Sequence, residues 1–192
     1  QRQMCIRDRC ISREEAERLV RKHVKRRNWF LHVLAVEAIM RGLARRLGED
    51  EEIWGLTGLL HDIDFERTMN NPERHGLEAE EILKGLVPGE VIQAIKAHNS
   101  LTRIPPSTMM DKALIASDAV SGLIIASALV MPSKKLKEVR LETLVRKFKD
   151  KSFARGADRQ RIMVCEELGL SREEFLELAL ESLKKISDRL GL

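Results

Sequence analysis

The stretch Ile53-Trp-Gly-Leu-Thr-Gly-Leu-Leu60 is an apolar run that ends directly in the pair His61-Asp62. A run of this length and composition is typical of a buried helix. A buried polar group without a partner costs about 2 kcal/mol or more, and an unpaired buried charge costs more. A bound metal ion would offset the cost of burying both the histidine and the carboxylate. The pair is therefore a candidate metal-binding doublet at a helix end.

Helical periodicity extends from this stretch along most of the chain. Apolar residues recur at spacings of three and four, and no stretch shows sustained two-residue alternation. The sequence therefore predicts an all-α fold, a single compact bundle of roughly nine helices. Capping boxes open the first and the last of them, at Ser12-Arg-Glu-Glu15 and Ser171-Arg-Glu-Glu174. The predicted helices start at about 12, cover about 28–47, 50–61, 73–85, 88–98, 108–130, 141–150 and 158–168, and resume at 171.

The length of 192 residues is compatible with one domain. We expect that domain to span residues 12–192, with a metal-site core at about 28–122 and C-terminal helices in 133–192 packing on it. Residues 1–11 are expected to be disordered or non-native, because Gln1 to Arg9 fits no helix pattern.

Composition argues against several classes of partner and location. The 34 basic and 30 acidic residues leave a net charge of +4 without a long block of like charge, and only 4% of residues are aromatic. Specific binding to nucleic acid is therefore not expected. Three cysteines without a C-x-x-C pair, and no recognisable secretory signal, favour the cytoplasm.

One segment raises the question of a membrane. Ala113 to Met131 is long enough to span a bilayer and carries a single formal charge, Asp118. It also contains three serines, is rich in alanine and lacks aromatic residues at its ends. We interpret it as the central helix of the bundle, and no membrane association is expected.

Four further polar residues lie on predicted apolar helix faces. His32 is in phase with Val36 and Ile39, and Asp118 is in phase with Leu114 and Ile125. The same phase argument applies to His75, with Ala79 and Ile82, and to His98, with Val91 and Ile95. All four are predicted to point inward. His23 also lies on an apolar face, but it has no carboxylate nearby and is interpreted as a packing residue.

The order His32, then His61-Asp62, then Asp118 resembles the HD superfamily of metal-dependent phosphohydrolases. The local sequence Leu59-Leu-His-Asp-Ile-Asp64 is similar to the family's apolar context around the doublet. The resemblance covers residues 28–122, about half of the chain. It implies an all-α fold. It also implies a metal-dependent reaction in which a hydroxide activated by the metal attacks a small phosphorylated or nucleotide substrate.

The two histidines between the doublet and the last aspartate resemble those of the dinuclear members of the superfamily. Carried over to this sequence, one metal ion would bind His32, His61, Asp62 and Asp118. The second would bind His75 and His98, with Asp62 as the bridging and catalytic carboxylate. Imidazole and carboxylate ligands without thiolate suit iron, manganese, cobalt, nickel or magnesium.

Residues that bind substrate phosphate carry weaker signals. We select Lys96, Lys134 and Lys135, because Lys96 lies close to His98 in sequence and the lysine pair precedes a predicted short helix. Asp64 and Glu66 could orient a ligand imidazole or the attacking water, but we interpret them as solvated loop acids.

Two other functions fit the same ligands. Some HD-fold proteins are di-iron oxygenases, and a non-catalytic, metal-stabilised ligand-binding module is also compatible with a helical bundle. Among hydrolase substrates, symmetrical dinucleoside tetraphosphates are one candidate, whereas cyclic di-GMP is disfavoured by the residues that follow His98. The chain is expected to be a monomer or a homodimer.

Overall fold

The structure, a computed structural model, describes residues 10–192, and these residues form helices without any β-strand. The predicted all-α fold is confirmed. The α-helices are α1 (Arg13–His23), α2 (Arg27–Leu47), α3 (Glu51–Leu60), α4 (Phe65–Thr68), α5 (Leu77–Leu83), α6 (Gly89–His98), α7 (Met109–Leu129), α8 (Leu141–Lys149), α9 (Arg159–Met163), α10 (Arg172–Lys184) and α11 (Ser187–Leu190). Short 3₁₀ helices cover Pro72–Arg74, Ser100–Thr102, Leu136–Glu138 and Val164–Leu168.

Each predicted helix has a counterpart, with differences at four places. The helices α4 and α11, of four residues each, were not predicted. The helix expected over 73–85 is instead a 3₁₀ turn followed by α5, because Gly76 between them has φ +90°. The helix expected over 158–168 is α only to Met163 and continues as a 3₁₀ helix to Gly169, which takes the left-handed conformation.

The predicted caps explain where several helices begin. Ser12 and Ser171 form the two predicted capping boxes, and Thr108 with Asp111 forms a third at the start of α7. The backbone N–H of Ile11 donates to Leu86 O at 2.9 Å, so the packed chain extends beyond the expected boundary at Ser12. The prediction for Gln1 to Arg9 falls outside the described residues.

Helices α2 and α7, each of 21 residues, form the centre of the bundle and pack against each other. Within the described residues, α7 is the one helix long and apolar enough to cross a membrane, and 67% of its apolar window is buried inside the structure. The surrounding helices cover it, as expected for the core helix of a bundle.

The contact between α2 and α3 is unusually close at Gly58. A Cβ atom at this position would lie 2.9 Å from three backbone atoms of α2, in Val36 and Glu37. Only glycine allows the two helix backbones to approach this closely. Since His61 and Asp62 follow Gly58 by about one turn, this packing sets their distance from His32 on α2.

Candidate metal centre

Six side chains from separate elements converge at one place in the bundle. They are His32 from the second turn of α2, His61 and Asp62 from the turn after α3, His75 from the segment before α5, His98 from the last residue of α6, and Asp118 from α7. Ligand atoms within 4.8 Å of one another define three overlapping groups that can hold a metal ion. The groups are His32 with His61 and Asp62, His61 with His98 and Asp118, and Asp62 with His75 and His98.

Asp62 contacts all four histidines of this cluster. Its Oδ1 lies 3.1 Å from His75 Nε2, 3.4 Å from His61 Nε2 and 3.6 Å from His98 Nε2. Its other oxygen, Oδ2, lies 3.5 Å from His32 Nε2. The carboxylate therefore lies at the centre of the cluster, between the His32 side and the side of His75 and His98.

Asp118 closes the cluster from α7. Its Oδ1 lies 3.0 Å from His32 Nε2 and 3.6 Å from His61 Nε2. Its Oδ2 accepts a hydrogen bond from Arg161 Nη2 at 2.9 Å. One oxygen of Asp118 is thus directed to the histidines, and the other is bound by a guanidinium.

Backbone carbonyls fix the ring orientation of two histidines. The Nδ1–H of His61 donates to Gly58 O at 2.7 Å, and the Nδ1–H of His98 donates to Ile95 O. A proton held on Nδ1 leaves the Nε2 lone pair unprotonated in the neutral ring. Both rings therefore present Nε2 lone pairs to the cluster, as metal-binding histidines do.

Side chains do the same for the other two histidines. His75 Nδ1–H donates to Asp64 Oδ1 at 2.8 Å. His32 Nδ1 lies 3.3 Å from Ser121 Oγ, which donates its own proton to Asp118 O and so acts as the acceptor. In their neutral forms, all four rings therefore keep Nε2 lone pairs available to the cluster.

Asp64 is fully buried, so its interpretation as a solvated loop acid was wrong. Besides His75, it accepts hydrogen bonds from the backbone N–H groups of Gly76 at 2.7 Å and Ala79 at 2.9 Å. Glu66 instead accepts from the N–H groups of Lys25 and Arg26 before α2. Asp64 thus orients a candidate ligand, whereas Glu66 binds the backbone that precedes α2.

His75 reaches the cluster from an extended residue and not from a helix face, so its predicted helical phase was wrong. Gly76 follows it with φ +90°, and a Cβ there would lie 2.9 Å from Ile95 O. Glycine is required both for this backbone conformation and for the close approach to α6. The turn brings His75 Nε2 to 3.1 Å from His98 Nε2.

The charges of the cluster suit a cation. Burial raises the pKa of Asp62 and Asp118, but the facing histidines outweigh burial and hold both pKa values well below the usual range. Burial lowers the pKa of His75, but Asp62 and Asp64 raise it to about 10. Burial, with the charges of His61 and His75, lowers the pKa of His98. Burial also lowers the pKa of His61, but Asp62 and Asp118 outweigh burial and raise it. The two aspartates are therefore ionised at neutral pH and favour a positive charge beside them.

The residues present fit a divalent metal ion by two observations. The Nε2 atom of His61 is fully buried and has no hydrogen-bond partner among the described residues. The facing ligand atoms are 3.0 to 3.6 Å apart. Ligands about 2.1 Å from one ion lie roughly 3.0 Å apart in octahedral and about 3.4 Å apart in tetrahedral coordination.

The three lysines selected as phosphate-binding residues do not contact the cluster. Lys96 Nζ donates to Glu80 Oε2 at 3.0 Å, and Lys135 Nζ donates to Gly191 O at 3.0 Å. Lys134 is exposed and has φ +55°. Their predicted role remains a prediction, without a contact that supports it.

Arg161 is the cation that sequence reasoning did not identify. Its Nη2 donates to Asp118 Oδ2 and, at 3.0 Å, to His98 O. It lies on α9, 43 residues after Asp118. No local motif marks it, because only the packing of α9 against α7 brings it to the cluster.

Comparisons with known proteins give one match. The family model described as HD domain matches residues 29–150, which include all six residues of the cluster. No curated protein and no solved structure matches the chain. The matched range ends before α9, so it does not contain Arg161.

Proposed function

Because the chain belongs to the HD domain family, we propose that it is a phosphohydrolase that uses two divalent metal ions to hydrolyse a small phosphorylated or nucleotide substrate. The family consists in general of metal-dependent hydrolases. The finer assignment to phosphoesters rests on the arrangement of the cluster.

The observation that carries the proposal is the position of Asp62. Two ligand groups share this carboxylate, one with His32 and His61 and the other with His75 and His98. Its two oxygens face different histidines, Oδ2 toward His32 and Oδ1 toward His75. Because Oδ2 faces His32 and Oδ1 faces His75 and His98, the carboxylate lies between the two ligand groups, which supports a bridged pair of ions.

Bound divalent ions lower the pKa of water and stabilise the negative charge that develops on a phosphoryl group. In the hydrolysis, a water oxygen bonds to phosphorus, the ester P–O bond breaks, and the alcohol leaves with a proton. The protein's contribution is orientation. Asp62 and Asp118 supply the charge, the four rings present Nε2 lone pairs, and Asp64 holds His75 in place.

The test is hydrolysis of phosphomonoesters and phosphodiesters by protein loaded with Mn²⁺ or Fe²⁺. Removing a ligand costs more than removing the partner of a ligand, which costs about 10- to 100-fold. We expect His61→Ala to lower kcat/KM roughly 100-fold or more. His23→Ala is the matched control, because His23 is the remaining histidine of the chain and lies outside the cluster.

Two results would overturn the proposal. One is a metal-loaded wild-type protein that hydrolyses no phosphoester of the panel. The other is a His61→Ala variant as active as His23→Ala. Product formation that requires both Fe²⁺ and O₂ would instead support the oxygenase alternative.

A further inference from the structure

A pocket borders the candidate metal centre on the side of α9. Its volume is about 560 Å³, within the range of about 300–1,000 Å³ that small-molecule sites occupy. His98 and Arg161 line it together with residues of the segment from Asn99 to Pro106. A phosphate ion alone would fill only a small part of this volume.

Arg161 connects the pocket to the cluster. Its Nη2 donates to Asp118 Oδ2 and to His98 O, and these are its only side-chain hydrogen bonds among residues 10–192. A guanidinium carries five N–H donors. The Nε and Nη1 groups of Arg161 therefore keep donors that no described residue uses, on a side chain already held in place.

A phosphoryl group is the ligand that suits such a guanidinium. The planar fork of arginine binds two oxygens of a phosphate at once, and an arginine fixed before binding loses less entropy when it does so. Arg161 contacts both a candidate ligand, Asp118, and the backbone of another, His98. An anion bound by Arg161 would lie directly beside the metal centre.

The lining of the pocket also has an apolar part. It contains Ile104, Pro105, Ile115 and Val164. Five polar residues line the pocket besides His98 and Arg161. Asn99 Nδ2 donates to Pro72 O and His75 O, and Asp158 Oδ1 accepts from the N–H groups of Gln160 and Arg161. The side chains of Ser100, Arg103 and Gln160 form no hydrogen bond within the described residues. The apolar part of this lining suits the face of a flat ring.

We propose that Arg161 binds the phosphoryl group of the substrate and that the pocket beyond it binds a ring-bearing leaving group. The substrate is then a phosphomonoester of an aromatic or heterocyclic compound. This inference rests on the proposed function for the identity of the reaction. The binding of phosphate and of the ring is testable without it.

The first test measures binding of inorganic phosphate to Mn²⁺-loaded protein by calorimetry. We expect Arg161→Ala to weaken phosphate binding about tenfold or more, equivalent to about 1.4 kcal/mol. Arg161→Lys should recover part of the loss, because it restores the charge but not the planar fork. Arg155→Ala is the control, since Arg155 is exposed on the preceding loop and does not line the pocket.

Arg161 could affect phosphate binding directly or through Asp118, a candidate metal ligand. Metal content, measured on the same samples, distinguishes these two effects. Equal metal content with weaker phosphate binding in Arg161→Ala supports the proposal. Unchanged phosphate affinity overturns it, and so does a loss of metal that fully accounts for the weaker binding. If the wild type binds phosphate through Arg161 but hydrolyses nothing, the proposed function fails and the assignment of Arg161 stands.

The second test compares phenylphosphonate with methylphosphonate, which contain a C–P bond and are not phosphoesters. The wild type should bind phenylphosphonate more tightly. Val164→Trp fills the pocket and should reduce that preference about tenfold or more, while leaving methylphosphonate binding unchanged. Equal affinities in the wild type, or an equal loss for both ligands in Val164→Trp, would overturn the assignment of the ring site.

Discussion

Asp64 holds the ring of His75, one of the candidate metal ligands, in place. Asp64 lies 2.8 Å from His75 Nδ1 and is anchored by two backbone N–H groups at the start of α5. A carboxylate behind a metal-binding histidine fixes its tautomer and makes it a stronger ligand. Asp64 should therefore act on metal binding through His75, without touching substrate.

Asp64→Asn tests this role. The amide cannot accept the hydrogen bonds at both oxygens, so His75 loses orientation and basicity. We expect Mn²⁺ affinity to fall about 10- to 100-fold for the ion held by His75 and His98, with little change for the other ion. Calorimetric titration of the metal-free protein measures both affinities.

Glu66→Gln is the matched control for this substitution, because Glu66 lies two residues further along the chain and binds the backbone that precedes α2. It should leave both metal affinities unchanged. Equal affinities in Asp64→Asn and the wild type would show that Asp64 serves only to hold the chain turn at Gly76.

The six residues of the cluster could be selected from the sequence because most of them are polar groups in an apolar context and because their order along the chain resembles that of the HD superfamily. Asp64 gave no such signal, since a carboxylate after a doublet is common in solvated loops. Arg161 gave none either. Its role depends on α9 packing against α7, a contact between residues 43 positions apart that periodicity cannot predict.

At the scale of the elements, the packing of α3 on α2 determines where the doublet lies. Gly58→Ala would place a Cβ 2.9 Å from backbone atoms that cannot move independently. We expect this overpacking to lower the free energy of unfolding by about 1–3 kcal/mol. Denaturant unfolding of the metal-free protein measures the change.

Gly122→Ala is the matched control within a helix. The nearest atom to a Cβ at Gly122 is Ala157 Cβ at 3.9 Å, an ordinary contact. Alanine should stabilise α7 by up to about 1 kcal/mol, because it has the higher helix propensity. A Gly58→Ala variant as stable as Gly122→Ala would contradict the close packing of α2 and α3.

Helix positions were predictable wherever caps and periodicity agreed, as at Ser12 and Ser171. The start of α5 was not, because the sequence around His75 continues the apolar period of the helix. The conformation is decided instead by Gly76, which meets the backbone of α6. A tertiary contact of this kind overrides a local pattern.

At the scale of the whole molecule, Glu17 joins the two ends of the described chain. It accepts hydrogen bonds from Arg13 and Arg21 on α1 and from Arg189 on α11. Burial raises the pKa of Glu17, but the three guanidinium groups outweigh burial and lower it to about 2. The ion pairs are part of the packing of α11 on the rest of the bundle.

This lowered pKa predicts a specific pH dependence of stability. A carboxylate whose pKa is lowered by folding stabilises the folded state above its unfolded value, near 4.5, and loses that effect as the pH falls toward 2. Glu17→Gln should therefore be less stable than the wild type at pH 7, and the difference should shrink between pH 4.5 and 2. Chemical unfolding at several pH values measures it.

Glu14→Gln is the control, because Glu14 is exposed on α1 and forms no ion pair within the described residues. Its stability should follow the wild-type curve. If the difference in the free energy of unfolding between Glu17→Gln and the wild type stayed constant across this pH range, the charge of Glu17 would not contribute to stability.

The central claim is that the six residues hold a pair of divalent ions bridged by Asp62. Anomalous diffraction from a crystal of the Mn²⁺-loaded protein tests it most directly. We predict two anomalous peaks about 3.5–4 Å apart, with Asp62 between them, His32 beside one and His75 beside the other. A single peak, or peaks outside the six side chains, would contradict the account.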